Sequence, residues 1–297
     1  MKRNHNFARA TSGRTSMQNG QPSRTALGAA IQRAAHQTLD GGKIFNDLVA
    51  RVVLGREADA LIEAVSADPA QRQMRVFMAA RSRFAEDSLD LAVTRGVRQA
   101  VILGAGLDTF SLRNRHAALG LRVFEVDHPA TQAWKRERMR EANFAVPATL
   151  TFAPMDFTRQ SLAEELAAAG FQATQPAFFC WLGVVPYLRK EAISAILQVI
   201  ASLPGSEVVF DYSEPLDNYS PERRANVAAV AQRTAAIGEP WLSYFDPVEM
   251  AKDLRNHGFD ELEDLGLADI AVRYLGAPKG EGATEAGPHV IRARRLG

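Results

Sequence analysis

Along this chain, apolar positions recur at helical spacing through the first third and then give way to short apolar runs separated by helical stretches. From Thr25, the residues Leu27, Ile31, Ala34, Ala35 and Leu39 share one face, and Gly41-Gly42 stop the run. Further helices are expected over 44–54, after Asp68-Pro69, where a capping aspartate precedes a proline in the first turn, and through 84–95. The first strand then ends at Val101-Ile102-Leu103 and turns through Gly104-Ala105-Gly106 toward a helix. A second strand is predicted over 121–126, a third over 150–153, a fourth over 177–185 and a fifth over 206–212. Helices fall between them: 130–142, a stretch opened by a Ser161/Glu164 capping box and closed by Gly170, and the stripe Ile193, Ile196, Leu197, Ile200. Beyond the fifth strand lie helices over 221–237 and 247–257, the latter opened by Asp246 and Glu249. A strand after Gly258 and a last strand over 289–294 complete the pattern, with a loop rich in Gly, Ala and Pro before the last one. Strands alternating with helices mean an α/β fold with parallel pairing and right-handed crossovers. The two late strands, with no helix legible between them, predict an antiparallel edge.

At 297 residues, with 46% apolar and 23% charged positions and a net charge of +1, the chain can bury a large core and has no global pull toward nucleic acid or an acidic membrane. No run of eighteen apolar residues exists, so no membrane span is expected. The single cysteine, Cys180, excludes an intramolecular disulfide and a thiolate zinc cluster, and fits a reducing, cytoplasmic setting. No metal site is expected. Residues 1–24 carry Lys2, Arg3, Arg9, Arg14 and Arg24 without one acid and are expected to form a disordered basic tail. An organelle import signal shares that composition. The remainder, 25–297, is expected to be a single unit, with a helical cap over 25–97 and an α/β core over 98–297.

Two glycines one residue apart at the end of a first strand leave bare backbone where a ligand must come close, so Gly104, Ala105 and Gly106 mark a nucleotide-type crevice. A dinucleotide fingerprint needs a further glycine or alanine where this chain has Thr109, which leans away from NAD. Asp127, just beyond the second strand, has the spacing of an acid that accepts hydrogen bonds from both ribose hydroxyls; Glu125, two residues earlier and on the same face, is its rival. Asp156, after the third strand, could accept an exocyclic adenine amine while Phe157 lies against the ring. Together these strand ends describe adenosine without requiring phosphate.

The ordered set Arg81-Ser82-Arg83-Phe84, Gly104 to Thr109, Phe124-Glu125-Val126-Asp127-His128-Pro129, Met155-Asp156-Phe157 and Trp181-Leu182-Gly183-Val184-Val185-Pro186-Tyr187-Leu188 resembles the leucine carboxyl methyltransferase family. More narrowly it is similar to that family's bacterial branch of O-methyltransferases dependent on S-adenosylmethionine (AdoMet), which includes polyketide carboxyl methylases. The resemblance runs from Thr25 to the C-terminus. It implies a class I methyltransferase fold: a Rossmann-like seven-stranded sheet whose last strand is antiparallel, with an N-terminal helical lid. It also implies that Asp127 and the pair Asp156-Phe157 bind AdoMet, and that an arginine of the 81–83 triplet, Arg81 first, holds the methionine carboxylate. Leu182 departs from the glutamate many relatives carry there, so an inherited substrate preference does not follow. The expected activity is methyl transfer to a carboxylate or hydroxyl of a small-molecule acceptor. Tyr187, Tyr212, Glu214 and His257 are candidates for the acceptor pocket, with no residue assigned as a base. The alternatives are an NAD(P)-dependent oxidoreductase, a non-catalytic AdoMet-binding protein and a protein C-terminal carboxyl methylase.

Overall fold

A computed structural model describes residues 23–68, 71–278 and 285–296. The expected tail lies outside these residues except for Ser23 and Arg24, which belong to the fold. The Ser23 hydroxyl accepts from the Ala26 N–H at 3.1 Å and caps helix α1 (Arg24–Leu39), so Arg24, expected in the tail, is the first residue of a helix.

Among the described residues four α-helices precede the sheet. After α1, the loop over 40–49 replaces most of the helix expected there, because the Asp47 carboxylate accepts from the N–H groups of Val49 and Ala50 and starts α2 (Ala50–Leu54) late. The helix α3 (Ala58–Ser66) follows. One long helix, α4 (Gln71–Thr94), stands where two were expected; no glycine or proline interrupts its 24 residues.

The sheet runs β3-β2-β1-β4-β5-β7-β6, built from β1 (Gln99–Leu103), β2 (Arg122–Asp127), β3 (Leu150–Pro154), β4 (Phe178–Trp181), β5 (Glu207–Ser213), β6 (Glu261–Leu265) and β7 (Pro288–Arg294). The first five pair in parallel, and β7 runs antiparallel to both β5 and β6, as expected for this edge. Successive side chains alternate between two cores. Val101, Leu103, Phe124, Phe179, Trp181 and Phe210 pack on one face with α7 (Lys190–Ser202), while Ala100, Ile102, Val123, Phe178 and Val209 pack on the other with α4.

No α-helix follows the glycine turn. The β1 to β2 crossover is made of two short 3-10 turns, 110–112 and 117–119, because α4 already covers the sheet face where a crossover helix would lie: its Phe84, Ala85, Leu89 and Ala92 pack with Phe110 and Leu121. The remaining crossovers use α5 (Pro129–Glu141), α6 (Leu162–Ala168), α7, then α8 (Pro221–Ala236) and α9 (Pro247–Asn256). The Ser161 box does not form: that hydroxyl makes no cap bond. Strand β4 is shorter than expected, since the chain turns at Gly183 with φ of 72°. A helix unseen in the sequence, α10 (Leu267–Leu275), lies between β6 and β7 and buries Ile270 against the α4 side. Most of the loop that follows is outside the described residues. No helix among the described residues is long and apolar enough to cross a membrane.

Candidate active site

Five parallel strands bring their carboxyl ends to one edge, and a cavity of about 370 Å³ opens there. Its floor is the loop from Ile102 to Asp108 with the ends of β2, β3, β4 and β5; its walls are α1, α4, α8 and the segment 238–242. All seven residues expected at the cofactor site, Arg81, Gly104, Ala105, Gly106, Asp127, Asp156 and Phe157, line it.

The floor is shaped by backbone that only glycine adopts without strain. Gly104 has φ of 64° and Gly106 φ of 50°. A Cβ on Gly106 would stand 2.9 Å from that of Ala26 in α1, so the lid helix rests directly on the loop. Thr109, at the position that leaned away from NAD, is fully buried and donates its hydroxyl to Asp47 at 2.7 Å. The guanidinium of Arg33 donates to the Leu107 carbonyl at 2.7 Å, so α1 and the loop that follows it are both tied to this turn.

The two rival acids of β2 separate cleanly. Glu125 is fully buried and spent: it accepts from Lys135 of α5 and from the Ser111 hydroxyl, each at 2.6 Å. Glu125 is therefore a structural ion pair and not the ribose acid. Asp127 is the last residue of β2, not beyond it as expected, and accepts from the Gly106 N–H at 2.5 Å and the His128 N–H at 2.6 Å. Burial pushes its carboxyl up to about 6 despite those two hydrogen bonds. Asp156 is more exposed and accepts from the Thr158 N–H and hydroxyl at 2.9 and 2.6 Å. Burial opposes its ionisation, but those bonds, Arg159 and His128 hold the carboxyl below its ordinary value. Phe157 lines the cavity and packs against the core beneath it.

On the opposite side, Arg81 is buried and pairs through Nη1 with Asp211 Oδ2 at 2.6 Å. The other Asp211 oxygen accepts from the Gly183 N–H at 2.5 Å. Arg83 of the same triplet points away and pairs with Asp87 at 2.7 Å. Asp211 takes this place because β5 and α4, 130 residues apart, bring it to Arg81.

Of the four acceptor-pocket candidates, Tyr187 lines the cavity, with its hydroxyl pushed up by burial. Tyr212, Glu214 and His257 do not line it. The Tyr212 hydroxyl donates to Asp264 at 2.6 Å and its ring stacks on His289; Glu214 accepts from the Gly287 N–H; His257 meets Ser194 beyond the end of α9. The wall between lid and α8 is instead apolar, formed by Met74, Phe77 and Met78 of α4 with Val227, Val230 and Leu242. Cys180 also lines the cavity, with its thiol pushed up by burial, which removes it as a nucleophile. Among the described residues no cluster of side chains could hold a metal ion.

One carboxylate was missed altogether. Glu239 accepts from the Arg24 N–H at 2.8 Å, the Thr25 N–H at 3.2 Å, the Ser23 hydroxyl at 3.2 Å and the Thr25 hydroxyl. It caps α1 from the far side of the cavity and closes the rim, and no local pattern announces a partner 215 residues away. Counting it, the lining carries five carboxylates (Asp108, Asp127, Asp156, Asp211, Glu239) against two guanidiniums, Arg33 and Arg81.

A profile of the family described as leucine carboxyl methyltransferase matches residues 26–201. A relative in Bacillus subtilis (strain 168), YktD, named for S-adenosyl-L-methionine-dependent methyl transfer, is 33% identical over 279 residues, covering 86% of this chain and 91% of its own. A similarly named protein of Mycolicibacterium paratuberculosis (strain K-10) is 32% identical over 282 residues, covering 84% and 87%. Among solved structures, one named as a methyltransferase from Thermobifida fusca YX superposes with a TM-score of 0.60 at 17% identity, covering 95% of this chain and 97% of that one. That likeness speaks to the fold alone.

Proposed function

The chain belongs to the leucine carboxyl methyltransferase family and is an AdoMet-dependent methyltransferase, and from that premise we propose that it moves the methyl group to a carboxylate or hydroxyl oxygen of a small, largely apolar molecule bound beneath the helical lid. The observation that carries this reading is the charge of the cavity: five carboxylates against two guanidiniums suit a cationic sulfonium compound and oppose a pyrophosphate. The glycine turn supports the same choice, because no α-helix starts from it to offer a dinucleotide its N-terminal dipole. An NAD(P)-dependent oxidoreductase would need both.

The residues fit the cofactor at three places. Asp127 can accept from two vicinal hydroxyls, Asp156 from an amine, with Phe157 beside the ring they flank. The Arg81–Asp211 pair presents a cation and an anion side by side, the complement of an amino acid's own carboxylate and ammonium. AdoMet supplies an activated methyl group on a good leaving sulfur. What remains for the protein is to align the acceptor oxygen, exclude water and hold both partners, and orientation of that kind is worth on the order of 7–11 kcal/mol.

The acceptor's apolar body is expected against Met74, Phe77, Met78, Val227 and Val230, and Leu182 adds an apolar side chain to that wall. An ionised carboxylate needs no base, and Tyr187 supplies none at neutral pH because burial keeps it protonated. The lone Cys180, unpaired, is consistent with a cytoplasmic setting. The helical preface and the sheet act in this reading as one unit.

The test has two steps. Calorimetry comparing AdoMet with NADH should show saturable binding of the first only. Radiolabelled AdoMet incubated with a host extract should then place label in small molecules; label in polypeptide instead would assign the activity to protein carboxyl methylation, and no incorporation would leave a binding protein.

A further inference from the structure

His128 joins the end of β2 to the start of α5, and its own N–H donates to Asp127 at 2.6 Å. Its ring caps α5: Nδ1 accepts from the Ala130 N–H at 3.2 Å. A ring nitrogen that accepts carries no proton, so the neutral imidazole holds its proton on Nε2 and is a donor there. The ring borders the cavity and follows Asp127 at the end of β2, while Asp156 follows the end of β3, the strand paired with β2, so His128 shares one rim with the two acids that flank the expected nucleoside.

Resting on the cofactor reading, we infer that His128 is a further binding residue for the nucleoside of AdoMet, its Nε2–H donating to a ring nitrogen or ribose oxygen in the tautomer that the α5 cap selects. The chemistry asks for such a group. Asp127 and Asp156 only accept hydrogen bonds when ionised, whereas a nucleoside also presents acceptors that need donors. A lysine or arginine would provide one at the cost of a second positive charge near the sulfonium; a neutral imidazole provides one without it.

The substitution His128→Asn separates the two tasks, because asparagine caps a helix as well as any residue but lacks the ring and its reach. Wild-type binding of AdoMet is measured first; its absence would overturn the cofactor reading itself. Given binding, His128→Asn is expected to melt with the wild type and to bind S-adenosylhomocysteine and 5′-methylthioadenosine each roughly five- to tenfold more weakly, the worth of one lost hydrogen bond. Unchanged affinity for both overturns the inference, as does a loss confined to S-adenosylhomocysteine, which would place the contact outside the nucleoside. Should the variant melt lower than the wild type, the decision passes to nitrogen-15 spectra of histidine-labelled wild-type protein. These should show His128 protonated at Nε2 and that resonance shifting on addition of 5′-methylthioadenosine; a proton on Nδ1, or no shift, refutes it.

Discussion

Replacing Asp127 by asparagine tests both the energetics and the role of the acid at the end of β2. Its carboxyl is moved from 3.8 to about 6 by burial, which its two hydrogen bonds from Gly106 and His128 only partly offset. Between those values the folded protein holds a proton that the unfolded chain has released, so stability falls as pH rises through that window. The ionised carboxylate costs the fold about 3 kcal/mol at neutral pH, a cost absent below the unfolded value. Asparagine removes the charge but can accept only one of the two N–H groups with its carbonyl, leaving the other against an NH₂ at about 1–3 kcal/mol. The two effects nearly offset at pH 7, and the expected signature is therefore a lost slope: chemical denaturation from pH 4 to 7 should show a decline in wild type that is about 2 kcal/mol larger than in Asp127→Asn. Cofactor binding should run the other way. If hydroxyls are bound by the ionised carboxylate, wild-type AdoMet affinity improves about tenfold from pH 5 to pH 7, while the variant binds on the order of 10–100-fold more weakly and without that dependence. Parallel pH profiles for the two proteins in both assays would refute the assignment.

Other parts of the site make separate demands. Glu239→Ala removes the carboxylate that caps α1 across the cavity, so amide exchange in the first turn of that helix should quicken by an amount equivalent to about 1–2 kcal/mol, with faster AdoMet release; exchange matching wild type would remove the rim contact from the mechanism. Gly106→Ala forces a Cβ onto a backbone at φ of 50° and to 2.9 Å from Ala26, and should cost about 1–3 kcal/mol in denaturation and weaken AdoMet binding. Gly28→Ala in α1, with open space around it, should instead gain about 0.5–1 kcal/mol. Lys135→Met leaves Glu125 buried and unpaired and should destabilise by about 3–5 kcal/mol, most of it recovered in the Lys135→Met, Glu125→Leu double variant.

The strand ends were legible because they are local. An apolar run that stops at Gly104, Asp127 or Asp156 states both where the sheet ends and which side chain is left at its rim. What stayed hidden was whatever depends on distant packing. The crossover after β1 reads as strand, glycine turn and helix, yet α4 occupies that face first, and nothing in residues 104–121 records the fact. Helix α10 went unread although Leu267, Ile270, Ala271 and Tyr274 recur at i, i+3, i+4 and i+7, because the stripe spans only nine residues and runs into a loop rich in glycine. Glu125 and Asp127 obey the same period and are told apart by their partners, Lys135 and Ser111 for the first and two backbone N–H groups for the second. Three acceptor candidates failed for a related reason: Tyr212 and Glu214, for instance, stand at the end of β5, but their side chains turn to β7 and its neighbours, and the apolar wall comes from α4 and α8.

The same geometry explains why the site costs stability before it does anything. A buried carboxylate held above its ordinary value, glycines at positive φ and an excess of acids around one cavity are all unfavourable when nothing is bound. Two features keep the arrangement in place. The Arg81–Asp211 and Lys135–Glu125 pairs neutralise charges that would otherwise add to the excess, and Glu239, Arg33 and Asp47 bind the helical preface to the glycine turn and the rim. A cationic ligand with hydroxyls to donate relieves the remaining imbalance, so its binding energy is drawn from cost already present in the fold. Selectivity for a sulfonium over a dinucleotide then follows from the sign of that imbalance.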